Sequence, residues 1–268
     1  MHIVFNEDHY LDNVKTPIDL KQEPADIVIL SFSDSDLTAF ASAWKKTRSD
    51  FGENLPSLRL ANIKDLTHNL SVDTYIENTI AGSKCVLVRL IGGEQYWPYG
   101  LNYLKSISRE KNIALAIIPA DGREDKVLDS YSNLPKATLD SIKKLCDNGG
   151  QVSAQAVLAQ LSMATSLYFP PVVNFQKLPS HGFYCDKDGI TENFKNSNIA
   201  KPLVCLIFYK SYLAADDLDP VNKILKAIKK SGFSAIGVFV SSLKNRNLAS
   251  WLISELQILK PVSIINGT

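Results

Sequence analysis

The sequence predicts an α/β protein: a mostly parallel twisted sheet flanked by helices, followed by a helical segment and a partial second flavodoxin-like α/β domain. Three observations lead there. Nearly unbroken apolar runs, such as Cys85, Val86, Leu87 and Val88, suit strands buried on both faces of a parallel sheet. The amphipathic patterns between these runs are of a length for crossover helices, and right-handed crossovers then give a twisted sheet with helices on both faces. After a helical stretch that interrupts it, the same rhythm restarts at Pro202.

The first confident strand is 26–33, with a short edge strand expected near 2–5. Ser33 or Asp34 caps a helix running to about Thr47, with Leu37, Phe40, Ala41 and Trp44 on one face. A strand–helix–strand unit follows over 57–90. Leu58 and Leu60 mark its first strand, Ser71 is placed to cap its helix, and Gly82 to end it in a left-handed conformation. Pro98 suits the first turn of the next helix, whose stripe is Leu101, Leu104 and Ile107. The fourth strand, 113–118, is closed by Pro119. Helical patterns near 123–131, 135–148 and 151–168 come next, the last with Ala154, Val157, Leu158 and Leu161 as its buried face. These give an N-terminal α/β domain with helical extension over 1–168 and a weakly structured connector over 169–200, anchored at 181–184. The second α/β domain starts at 201 and reads as truncated, because its strand at 262–265 lacks a covering helix.

The 29 basic and 28 acidic residues leave a net charge of +1, which gives no footprint for nucleic acid or for a polybasic membrane anchor. There is no apolar stretch of membrane-spanning length and no signal-peptide pattern at the start, so the expected compartment is the cytoplasm. Cys85, Cys146, Cys185 and Cys205 have no paired spacing and read as reduced thiols.

Phosphate chemistry finds little support. Asp34 and Asp36 follow a strand in the DxD pattern of haloacid-dehalogenase-like phosphotransferases, but no downstream acidic pair completes a metal site. Two acids at a helix N-terminus are explained by the helix dipole alone. Gly82, Ser83 and Lys84 lack the upstream glycine of a phosphate loop and form a turn. His2, His9, His68 and His181 are scattered, and none has a partner at metal-ligand spacing. The stretch that stands out is the end of the third strand, where Arg89, Gly92, Gly93, Tyr96, Trp97 and Tyr99 follow in quick succession. The carboxyl ends of parallel strands are where open α/β sheets hold ligands.

Three segments carry a family resemblance: ADIVILSFSDSDL (25–37), the run LPSLRLAN, SVDTYIE, AGSK and VRLIGGEQYWPYG within 55–100, and FYKSYLAADDLDPVNKILKAIKKSGFSAIGVFVSSLKN (208–245). The chain resembles the N-terminal part of the large subunit of the aerobic, ATP-dependent cobaltochelatase, in the CobN and magnesium-chelatase H-subunit family. The resemblance implies a subunit that binds a corrin precursor, hydrogenobyrinic acid a,c-diamide, and inserts cobalt into it during cobalamin synthesis. Partner ATPase subunits would hydrolyse ATP with Mg²⁺; no cofactor is expected on this part of the subunit, which is predicted inactive alone. On this reading Tyr96, Trp97 and Tyr99 cover the ring, Arg89 pairs with a carboxylate, and His68 faces the same edge. The structural alternative is that the aromatics plug the end of the sheet while Arg89 pairs with a local acid such as Glu94. A magnesium-chelatase H-type fragment and a non-catalytic tetrapyrrole-binding scaffold are the other functional readings.

Overall fold

In the computed structural model, residues 16–52, 54–172, 177–191 and 201–268 are described; the edge strand expected near 2–5, His2, His9 and much of the connector lie outside them. The first sheet contains β1 (Ile27–Ser31), β2 (Leu58–Asn62), β3 (Cys85–Leu90) and β4 (Ala114–Pro119), in the order β2-β1-β3-β4. All pairs are parallel, and the register places Ser31 beside both Asn62 and Arg89. The four predicted strands are therefore present and parallel.

Alternation along the strands assigns the two faces. Val28, Leu30, Val86, Val88, Leu115 and Ile117 point to one side, where α2 (Asn69–Asn78) and α3 (Pro98–Glu110) cover them. Ile27, Ile29, Cys85, Leu87, Ala116 and Ile118 point to the other, under α1 (Asp34–Phe51). That face is completed by helices that follow the short α4 (Lys126–Asp129): α5 (Lys136–Asn148) and α6 (Gln151–Ala164). The helical segment is thus the second layer of the first lobe, and Val157, Leu158 and Leu161 of α6 are fully buried there, as their spacing predicted.

Several local expectations are corrected. The buried face of α1 is Ala39, Phe40, Ala43 and Thr47, whereas Ala41 is exposed. Helix α2 starts earlier than Ser71: His68 is its cap, its Nδ1 accepting from the Leu70 amide at 3.1 Å. Ser71 is instead buried within the helix, where its Oγ accepts from the Ile18 amide. Gly82 lies in a 3-10 turn and is not left-handed; it is small because an added Cβ would meet Pro24 Cβ at 2.9 Å.

The second sheet has the order β6-β5-β8-β7-β9. The hairpin β5 (His181–Cys185) and β6 (Gly189–Thr191) adds antiparallel to β8 (Ser234–Val240). Part of the expected connector is therefore sheet, and the second lobe begins before 201. Its parallel core is β7 (Leu203–Tyr209) between β8 and β9 (Ser263–Gly267). The short α7 (Lys210–Ala214) and α8 (Asp219–Lys230) pack on one face, and α9 (Arg246–Leu259) on the other. Helix α8 starts with Asp219 itself and carries Pro220 in its first turn, so the cap falls one residue before the expected one.

Candidate functional site

Both lobes share one topological feature. In the first, the chain runs from β1 to β2 on one side and then crosses to β3 on the other. In the second, it runs from β7 to β8 and then crosses to β9. Outgoing crossovers on opposite sides leave a crevice at the carboxyl ends of the central strands, where open sheets accept ligands. The two crevices face each other. Ser35 after β1, Tyr209 at the end of β7, Ser241 after β8 and Gly267 of β9 line a single cavity of about 610 Å³. A second cavity, of about 370 Å³, adjoins it through Ser35, Ser211 and Ser241, and reaches Arg89 and the Gly149–Gly150 turn. A third, of about 1000 Å³, continues past Lys210 and Asp147 to Lys144 and Lys177. Ser241 lines all three. The result is one groove between the lobes.

The floor of the groove is an ion centre. Arg89 is 5% exposed at the end of β3. Its Nη1 donates to Asp36 Oδ1 at 2.5 Å and its Nη2 to Asp147 Oδ1 at 3.3 Å. Asp36 is held by the α1 N-terminus, where its amide meets the Ser33 cap and its Oδ2 accepts from Ser31 Oγ at 2.9 Å. Burial works against the charge on Arg89, but Cys146, Asp36 and Asp147 outweigh it and raise its pKa above the ordinary value. For Asp147 burial prevails over Arg89 and Lys143, and its carboxyl pKa is raised. Arg89 Nε is buried and has no hydrogen-bond partner among the described residues. The expected local partner was Glu94, which instead accepts from the Tyr131 hydroxyl at 2.7 Å.

The lobes are joined by polar contacts beside the groove. The Gly150 amide donates to the Ala214 carbonyl at 2.8 Å, and Ser42 donates to Asp216. Gly149, at φ 72°, leaves no room for a Cβ, which would approach Ala214 Cβ to 2.7 Å. Lys210 Nζ donates to the Leu178 carbonyl at 3.1 Å, tying α7 to the segment that enters the second sheet.

Of the seven residues that the sequence offered as ligand contacts, only Arg89 lies in this groove. Trp97 is 4% exposed, packs in the core with Leu101 and Leu66, and donates from Nε1 to the Leu66 carbonyl at 2.8 Å. This is a core tryptophan, which decides against its covering a ligand and for the structural alternative, in which the aromatics are packing residues. Gly92 and Gly93, at φ 85° and 91°, turn the chain away from β3, and the Tyr96 ring folds over Gly92. Tyr96 and Tyr99 are each about two-fifths exposed, and the Tyr99 hydroxyl donates to Asp73 at 2.7 Å. His68 is engaged as the α2 cap. None of these six lines the groove. The groove residues that the sequence did not offer as ligand contacts include Asp147, Lys210 and Ser241, and also Asp36, which was read as a helix-end acid. Among the described residues no group of His, Cys, Asp and Glu is placed to hold a metal ion, and no helix is long and apolar enough to cross a membrane.

No protein-family model matches the chain. Two curated relatives are similar to it: the aerobic cobaltochelatase subunit CobN of a Sinorhizobium species is 27% identical over 100% of this chain and 21% of its own length. The aerobic cobaltochelatase subunit CobN of Pseudomonas aeruginosa is 27% identical over 93% of the chain and 20% of its own length. Among solved structures, the catalytic subunit of cobaltochelatase from Mycobacterium tuberculosis matches with a TM-score of 0.58 at 20% identity, covering 84% of this chain and 17% of that one. That structural likeness shows the fold. The family resemblance carried by the segments at 25–37, 55–100 and 208–245 is borne out, and the chain is CobN-like along its length while spanning about one fifth of the curated relatives it matches.

Proposed function

We propose that the chain serves as part of a CobN-type cobaltochelatase subunit and that its inter-lobe groove helps to hold the corrin precursor, hydrogenobyrinic acid a,c-diamide. The observation that carries this is similarity to CobN over the whole chain, with no segment left out. The groove supports it by its place at two facing switch points and by its mixed lining of hydroxyls, ammonium groups and apolar surface. Cobalt is the cargo of the complete subunit, and ATP with Mg²⁺ belongs to partner ATPase subunits in the cytoplasm.

What these residues can do is bind and orient. Serine and tyrosine hydroxyls donate to peripheral amides, and lysines pair with carboxylates. Metal insertion also needs metal ligands and a base for the ring protons. We therefore expect this chain alone to bind the ring without inserting cobalt. The test combines the 268-residue chain with the diamide, cobalt and ATP, with and without the ATPase partners. The expected outcome is a change in ring absorbance on binding and no cobalt-corrin product. Product formed at the rate of a complete subunit, or no ring binding at all, would overturn the proposal.

A further inference from the structure

The edges of the two sheets differ in how their backbone is satisfied. Along β4 the Ala114 amide turns inward to the Lys84 carbonyl, so Leu115 and Ile117 turn outward. Both are covered: the Leu115 amide donates to Asn133 Oδ1 at 2.7 Å and the Ile117 amide to Ser132 Oγ at 2.8 Å. The Leu115 carbonyl accepts from the Asn133 amide at 3.0 Å. At the other edge of that sheet, the outward Leu60 carbonyl of β2 accepts from Gln22 Nε2 at 3.0 Å. In the second sheet, the edge strand β6 is only three residues long. Short or covered edges are how sheets avoid pairing with a further strand.

Strand β9 has neither protection. The Val262 amide donates to the Leu203 carbonyl at 2.9 Å, which turns Val262, Ile264 and Asn266 toward β7. Ser263, Ile265 and Gly267 therefore point their amides and carbonyls away from the sheet. All five strand residues are exposed, and no hydrogen bond covers those outward groups among the described residues. Residues 261–268 carry no charged side chain, and Val262, Ile264 and Ile265 add exposed apolar surface. Charges on an edge are a common guard against pairing, and here there are none.

The outward residues are also self-complementary. Antiparallel strands join through residue pairs that exchange two hydrogen bonds, amide to carbonyl each way. Two copies of β9 set antiparallel about a two-fold axis at Ile265 bring Ile265 opposite its own counterpart and Ser263 opposite Gly267. Every outward amide and carbonyl then finds a partner, and a slip of the register leaves some of them unpaired. On the α9 face Ile264 falls opposite Asn266, so no like charges are opposed anywhere along the pair.

We propose that the free edge of β9 is a dimerisation surface, on which a second copy of this chain pairs antiparallel, centred on Ile265, and joins the two second sheets into one. Such an interface is closed by its two-fold axis, so assembly stops at two copies. It does not depend on the corrin reading above.

The test is sedimentation equilibrium of the 268-residue chain. A single strand pair is a small interface, so the chain is expected to pass reversibly from one copy to two as its concentration rises about a hundredfold. Ile265→Lys and Ile265→Asp each oppose like charges at the axis and should weaken association at least about tenfold. Mixed in equal amounts, the two variants set an ammonium against a carboxylate and should recover association to within about threefold of the parent. Ile265 is exposed, so both should match the parent in circular dichroism. Should either differ, Ile265→Pro decides in its place: it removes an amide that makes no bond within the sheet, and should also weaken association at least about tenfold. The proposal is overturned if the parent stays monomeric throughout, if it assembles beyond two copies, if the folded single variants associate as the parent does, or if the mixture stays monomeric. A dimer that binds no ring would remove the functional reading and leave this surface standing; a ring-binding monomer would do the reverse.

Discussion

Strands β3 and β9 occupy equivalent places in their lobes. Each lies beside the first strand of its lobe's parallel core, across from the second, and is reached by the second crossover. Yet all six residues of β3 are buried and all five of β9 are exposed. In the first lobe β4 continues the sheet and helices lie on both faces. In the second lobe, α8 and α9 pack over β7 and β8, and no β9 residue joins either core cluster. Topology assigns a strand its neighbour, but burial is supplied by the layers above and below.

The largest expected effect follows from that contrast. Leu87→Ala in β3 removes a side chain with no exposed surface and leaves a cavity between the sheet and the helical layer of α1, α5 and α6. A loss of about 3–4 kcal/mol is expected in urea unfolding. Ile264→Ala in β9 removes a side chain that is 47% exposed and should cost less than about 0.5 kcal/mol. Comparable losses at the two sites would break the comparison.

A smaller effect is expected at the ends of these strands. In the first lobe the edge facing the groove carries Arg89 between Asp36 and Asp147; in the second, β9 ends in the uncharged Gly267. Arg89→Met keeps much of the volume and leaves two carboxylates without their shared cation. Both retain some water, with side chains 19% and 33% exposed. The cost should therefore be about 2–3 kcal/mol, below that of breaking a fully buried pair. Replacing both acids as well, in Asp36→Asn with Asp147→Asn, should recover about half of the loss. No recovery would mean that Arg89 stabilises the lobe by packing and not by charge.

The same contrast explains what could be read from the sequence. Strands β1 to β4 were legible because each is a short apolar run bounded by caps and turns. The hairpin at 181–191 was not, since His181, Gly182 and Cys185 give no alternation and β6 has three residues. Trp97 was misplaced for a physical reason: glycines at 92 and 93 suggested an open rim, but they let the chain fold back so that the indole reaches the Leu66 carbonyl. The groove was invisible because its wall comes from turns near 35, 89, 147, 210 and 241. Each of these reads locally as a cap or a strand end, and only the facing of two sheets makes them a site.

The smallest expected effect compares the cores through their cysteines. Cys85 in β3 and Cys205 in β7 are both fully buried and free. Burial pushes the first up to about 12 and the second up to about 11, from an ordinary value near 9. For Cys85 the nearby Asp26 carboxylate adds to the rise, while a contact with Thr165 opposes it. Stabilisation tied to the neutral thiols is fully present below about pH 9. It is lost as pH climbs through 11 in the second lobe and 12 in the first. The thiolate is the form that alkylates, so at pH 8 both should react at least tenfold more slowly than in urea. On raising the pH, Cys205 should become labelled by iodoacetamide before Cys85, as followed by peptide mass spectrometry. Cys205 also pairs directly with Ile264 of the exposed β9, so opening of that edge strand would hasten its labelling further. Equal labelling of the two thiols at every pH would mean that the exposed edge leaves the second lobe as tightly closed as the first.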